Sequence, residues 1–205
     1  MTTKISLTQF ITFKSKVSTS AKIKYLKEKV KYVDYTPFAD YWLPLRSRIK
    51  GFADGRYTEN QLIEFVNNVD PNKRANYKRD LNKLLHFVNE NKVSFFDVQK
   101  SYWNYNDQLR ISASPELGVV TNSGEKYLLK NSYTIKKDDE KLLKRNILPT
   151  LTLMNIANDN PNISDATPAV LNLRNGKLIK SNSNLVDTVE LEVDAQQIID
   201  IWNKI

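Results

Sequence analysis

The chain has 205 residues, of which 40% are hydrophobic and 10% aromatic, enough apolar surface to offset chain entropy and exclude global disorder. Cysteine is absent and His86 is the single histidine, which excludes disulfides, thiolate metal sites, cysteine nucleophiles and any site that needs two histidines. The net charge is +8, and it is unevenly spread: residues 1–110 hold 20 Lys+Arg against 11 Asp+Glu, while residues 111–205 hold 11 against 12.

No apolar run approaches the roughly 18 residues needed to cross a bilayer, and lysines interrupt the opening MTTKISLTQFITFKSKV where a signal peptide would carry its apolar stretch. The expectation is a cytoplasmic protein without a membrane partner.

In chain order, the first half carries helical punctuation. Ser6 and Gln9 match a capping box ahead of Leu7, Phe10, Ile11 and Val17. Ser18 or Ser20 caps a second helix whose apolar residues Ile23, Leu26, Val30 and Val33 step by 3, 4 and 3. Pro37 suits the first turn of a third helix, with Phe38, Tyr41, Trp42, Leu45 and Ile49 on its face, a kink at Pro44 and an end at Gly51. Thr58 and Gln61 repeat the capping box before Leu62, Phe65, Val66 and Val69. Asp70 and Pro71 open a fifth helix, with Tyr77, Leu81, Leu84, Leu85 and Val88 on one side.

After SYWNYNDQ the periodicity changes. LRISA, LGVVT and KYLLKNSYTI read as strands, the last two joined by a turn at Asn122-Ser123-Gly124. A helix follows over DDEKLLKRNILPTLTLMNIA, kinked or divided at Pro149. NDNPNISDATP is a polar loop. Arg174-Asn175-Gly176 joins two further strands as a hairpin, TVELEV adds another, and Asp194 caps a final helix. The expected class is α+β: an N-terminal helical bundle, then a mostly antiparallel sheet with helices packed on it. The change of period places a boundary between a basic helical domain, 1–106, and an α+β domain, 107–205.

The basic character concentrates in residues 1–31, with eight lysines and Glu28 as the only acid. In KIKYLKEKVK, Lys24, Lys27 and Lys31 share one helical face and Lys22 and Lys29 the next; Lys14 and Lys16 extend the patch if the first two helices pack side by side. Arg46, Arg48 and Lys50 make a second strip. Outward-facing cations in such an array neutralise phosphates and release counterions, and Tyr25 and Tyr32 are candidates for stacking on unpaired bases. The bland alternative is a solvated amphipathic face.

Residues 74–98, RANYKRDLNKLLHFVNENKVSFFDV, resemble the helix that closes the small helical arm-type domain of tyrosine recombinases, where a Y..DL..L..F pattern packs against DNA-embracing helices. The resemblance implies a DNA-associated helical module. It does not imply strand exchange, because a chain with one histidine carries no complete recombinase set of Arg, Lys, His-x-x-Arg and Tyr.

Other chemistry finds less support. On a strand, Glu190 and Glu192 would face the same way, with Asp194 beyond them and Glu116 at a strand entrance, a set able to hold magnesium for a metal-dependent nuclease or phosphohydrolase. The clear Asp-x-Lys, Asp139-Glu140-Lys141, falls in a predicted helix instead of on a strand. His86 lies beside an apolar stripe. There is no Gly-x-Ser-x-Gly elbow and no glycine-rich phosphate loop, so no cofactor is expected.

The leading expectation is a non-catalytic, nucleic-acid-associated protein. A structural or interaction subunit, with a protein partner or a second copy docking on the aromatic clusters YVDYTPFADYWLPL and SFFDVQKSYWNYN, is the other alternative; the second cluster is expected to fill the joint between the halves.

Overall fold

A computed structural model describes residues 2–33, 40–134, 139–158, 160–181 and 188–205, and for residues 139–145 and 162 the backbone alone. Ser6 caps α1 (Leu7–Lys14) as its sequence implies. Its hydroxyl accepts from the Gln9 N–H at 3.2 Å, and Gln9 Oε1 accepts from the Ser6 N–H at 2.8 Å, so two otherwise orphaned donors are satisfied reciprocally. Leu7, Phe10 and Ile11 are buried, but Val17 lies past the helix end and is 99% exposed. α2 (Thr19–Leu26), capped by Ser18, runs into one π-helical turn, Lys27–Lys31. A π turn holds more residues than an α turn, so the expected stripe does not stay on one face. Leu26 is buried and Val30 half-buried, whereas Ile23 and Val33 are exposed.

Pro37 and Phe38 lie outside the described residues. α3 (Leu43–Ala53) has Pro44 in its first turn, where a missing N–H costs nothing, so Pro44 opens this helix and does not kink it. Gly51 sits inside the helix, with the Tyr57 ring where a Cβ would stand. α4 (Glu59–Asn68) has the Thr58/Gln61 capping box, and Asp70 caps α5 (Pro71–Glu90) by accepting from the Asn72 N–H at 2.8 Å.

Two sheets form. In the first, β1 (Thr3–Ser6) runs parallel to β4 (Leu109–Ser112), and β3 (Tyr102–Tyr105) pairs antiparallel on the other side of β4. The second has the order β2 (Ser94–Phe96), β5 (Leu117–Val120), β6 (Lys126–Ser132), β7 (Thr167–Asn172), β8 (Lys177–Lys180), with β6 and β7 parallel and the other pairs antiparallel. Both expected hairpins are present, their turns carried by Gly124 at φ 83° and Gly176 at φ 78°, a region glycine enters without a Cβ clash. β1, β2 and β3 had no clear signature: they are three or four residues long, and β1 and β2 take their edges from strands elsewhere in the chain, while β3 pairs with β4 across the turn at 106–108.

α3, α4 and α5 cover one face of the five-stranded sheet. Leu45, Ile49, Leu62, Tyr77, Leu81 and Leu84 meet Leu117, Val119, Leu129, Ala169 and Leu171 there. α6 (Asp139–Ile156), which contains Pro149, covers the other face through Ile147, Leu151 and Met154. Its end enters a second core, where Leu153 joins Phe10, Phe13, Leu26, Leu109 and Ile111. That second core draws on both sides of residue 106, and residue 106 itself lies in the turn between β3 and β4, where Asn106 and Asp107 have positive φ.

The expected strand at TVELEV is a helix. α7 (Thr188–Trp202) buries Leu191, Ala195, Ile198 and Ile199 at steps of 4, 3 and 1 and leaves Val189 and Val193 exposed. The alternation in TVELEV is real, but the longer helical stripe behind it has a core to enter. Asp194 is therefore inside the helix and buried, not at its N-cap. The class is α+β, with antiparallel pairing in the majority and helices packed on both sheets.

Candidate functional site

α1 and α2 lie against α7, and this contact divides the seven candidate lysines from Lys14 to Lys31. Lys14 Nζ donates to Asp194 Oδ2 at 3.0 Å and to Glu190 Oε2 at 3.2 Å. Burial works against its charge, but the Asp194 and Glu190 carboxylates outweigh it and hold the amine above its ordinary pKa. Lys22 Nζ donates to Asp194 Oδ1 at 3.1 Å and Gln197 Oε1 at 2.7 Å, above the Phe13 ring. The π turn swings Lys31 inward, where Nζ donates to the carbonyls of Trp202 at 2.9 Å and Ile205 at 2.6 Å. Lys14, Lys22 and Lys31 thus fasten the helix pair to α7.

Lys24, Lys27 and Lys29 remain exposed, and none has a carboxylate partner among the described residues. Lys16 is half-buried over the Tyr25 ring at 5.6 Å. Of the two stacking candidates, Tyr25 packs into the second core, while Tyr32 is 63% exposed at the end of the π turn.

The second strip disperses. Arg46 pairs with Asp40, Arg48 lies over the rings of Tyr57 at 4.5 Å and Phe65 at 4.9 Å, and Lys50 is exposed. Helical spacing alone could not show this, because the partners come from residues 40, 57 and 65.

The acidic set does not assemble. With α7 a helix, Glu190 holds Lys14 and Glu192 points to solvent. Glu116 instead accepts from Lys130 Nζ at 3.4 Å and the Tyr133 hydroxyl at 3.2 Å. No group of three or more acidic or histidine side chains able to hold a cation occurs among the described residues. His86 is exposed and sits 3.4 Å from Glu90, one turn along α5.

The segment that resembles the recombinase helix forms most of α5 and then β2. Its patterned residues Tyr77, Asp80, Leu81, Leu84 and Phe87 are all buried, so the pattern is the face that packs on the five-stranded sheet and not a surface for DNA. Among the described residues, the aromatics of the two clusters are half-buried apart from Tyr32. Trp42 stacks on Tyr77 at 5.5 Å and lies tilted to Tyr133 at 5.2 Å; Phe95 meets Phe52, and Trp103 meets Phe10.

A cleft that sequence reasoning missed, with charged residues on a largely apolar lining, lies between α1, α3, α6 and the two sheets. One cavity of about 250 Å³ is bordered by Trp42, Arg46, Glu116, Lys130, Asn131 and Tyr133, among others. A larger one of about 610 Å³ shares Thr8, Arg46, Glu116 and Lys130 with it and adds Lys50 and Lys100. Burial first, and then the Glu116 charge, push the Tyr133 hydroxyl well above its ordinary pKa, so it stays a donor. The available signal was KNSY at the end of an apolar strand, where polar residues continue into a buried position.

No protein-family model matches the chain, and it aligns with no curated protein. Among the described residues, no helix is long and apolar enough to cross a membrane.

Proposed function

We propose that the protein contacts nucleic-acid phosphates, without catalysis, through Lys24, Lys27 and Lys29, with Lys16 at the margin and Tyr32 as a stacking ring for an unpaired base. The observation that carries this reading is the contrast within one helix pair: Lys14, Lys22 and Lys31 are spent on α7, while Lys24, Lys27 and Lys29 stand in solvent without acidic partners among the described residues. A helix clamped at both ends presents these three amines from a fixed scaffold, which reduces the ordering cost of binding. Such contacts position a nucleic acid and do not read its sequence.

The test is affinity for random single- and double-stranded DNA and RNA across a salt series. Reversing Lys24, Lys27 and Lys29 to Glu removes up to three phosphate contacts, so the slope of log affinity against log salt on duplex DNA should flatten by about 2 to 3. Unchanged affinity and slope in the triple variant, with the fold intact by circular dichroism, would sink the assignment.

A further inference from the structure

We propose that the cleft beneath α3 is a second, separate binding site, which takes a small molecule bearing a carboxylate or phosphate group. Its charge balance is the first argument. Arg46, Lys50, Lys100 and Lys130 border the two adjoining cavities, and Glu116 is the one acid that borders them among the described residues. Asp40 compensates Arg46 from outside the cleft and Glu116 compensates Lys130 at 3.4 Å, so the net excess rests on Lys50 and Lys100. Lys50 and Lys100 have no acidic partner among the described residues. Cations of one sign in a walled cleft focus their field and raise the local concentration of anions.

The second argument is Asn131. Its side chain is buried, at 4% exposure, and neither Nδ2 nor Oδ1 has a hydrogen-bond partner among the described residues. Its nearest polar influence is on the Tyr133 hydroxyl, where it favours ionisation. A buried amide with both ends unmade is costly, and such groups in folded proteins normally have a partner. Asn131 borders the inner cavity, so a ligand that donates and accepts there would satisfy it while its anionic group meets Arg46 and Lys130.

Size is the third. A cavity of about 250 Å³ lies just below the range of about 300 to 1,000 Å³ typical of sites for drug-sized ligands, which suits a compact metabolite. The open outer part, with Lys50 and Lys100, gives it an entrance.

Calorimetric titration of the full chain with inorganic phosphate, and separately with succinate, tests the proposal and distinguishes the two anion chemistries. Saturable one-to-one binding of either anion is expected, with affinity falling at least tenfold in Arg46→Gln and in Lys130→Gln. Lys50→Gln with Lys100→Gln, both near the surface, is the version that keeps the fold and should weaken binding severalfold. The Lys24, Lys27 and Lys29 reversal should leave this affinity unchanged, which separates the cleft from the nucleic-acid surface. Absence of saturable binding of both anions overturns the proposal, as does binding that is insensitive to the cleft variants.

Discussion

Asp194 on α7 and Lys22 on α2 meet at 3.1 Å, with the lysine side chain only 13% and the aspartate side chain 11% exposed. The same carboxylate takes Lys14 through its other oxygen, so one buried acid ties two helices of the N-terminal half to the last helix of the chain. Removing one partner of a largely buried pair leaves the other charge desolvated and poorly compensated. Asp194→Ala should therefore lower stability by about 2 kcal/mol, read as a shift of the urea midpoint. The exposed Asp200→Ala should move it by less than about 0.5 kcal/mol.

Neighbouring lysines should separate structural from binding roles. Lys22→Gln loses the Asp194 contact and should cost about 1 kcal/mol of stability, with nucleic-acid affinity little changed. Lys24→Gln should do the reverse, leaving the unfolding midpoint in place and weakening binding. Parallel denaturation and salt-titration curves on the two variants check both halves of the claim.

Asp80 supplies a pH dependence. It is fully buried on α5, and Arg79 Nε donates to its Oδ1 at 2.6 Å. Desolvation nevertheless dominates over the Arg79 and Arg174 charges and raises its pKa from 3.8 to about 6. The folded state then holds a proton that the unfolded chain has released. This contribution is fully present below pH 3.8 and is lost as pH rises through about 6, falling by on the order of 2 to 3 kcal/mol. Asp80→Asn removes the titration, so the stability of the wild type relative to this variant should decline from pH 4 to pH 7. A difference that stays flat or rises would refute it.

Phe96 and Gly118 face each other where β2 pairs with β5. A Cβ on Gly118 would stand 2.5 Å from the Phe96 ring and 2.6 Å from its carbonyl oxygen, and a backbone atom cannot move aside cheaply. Gly118→Ala should cost about 2 kcal/mol or more and expose the β2 amides to hydrogen exchange. Gly124→Ala has open space at φ 83°, so it should cost only the left-handed strain of about 1 to 2 kcal/mol.

Local rules read correctly wherever the cause is local. The capping boxes at Ser6/Gln9 and Thr58/Gln61, the Asp70-Pro71 opening of α5 and its stripe from Tyr77 to Val88, and the two glycine turns all depend on residues within a turn or two of each other. TVELEV fits both periods over six residues, and the second core decided in favour of the helix because Leu191, Ala195 and Ile198 could enter it together. The short strands β1 and β2 needed an edge that only the folded chain offers.

For the candidate sites the same division holds. The amino-acid sequence by itself determined the α+β class, the concentration of positive charge in residues 1–31 and the exclusion of cysteine chemistry, because these follow from composition and short-range periodicity. Tertiary structure alone decided which lysines are free to meet a ligand, because an ammonium group is claimed by whichever carboxylate or carbonyl the fold brings within about 3 Å. Asp194, Trp202 and Ile205 lie more than 170 residues from the lysines they hold, a distance at which no spacing pattern carries information. The cleft at Arg46, Glu116, Lys130 and Asn131 is likewise assembled from three separate parts of the chain, and its chemistry exists only once α3 lies beside β6.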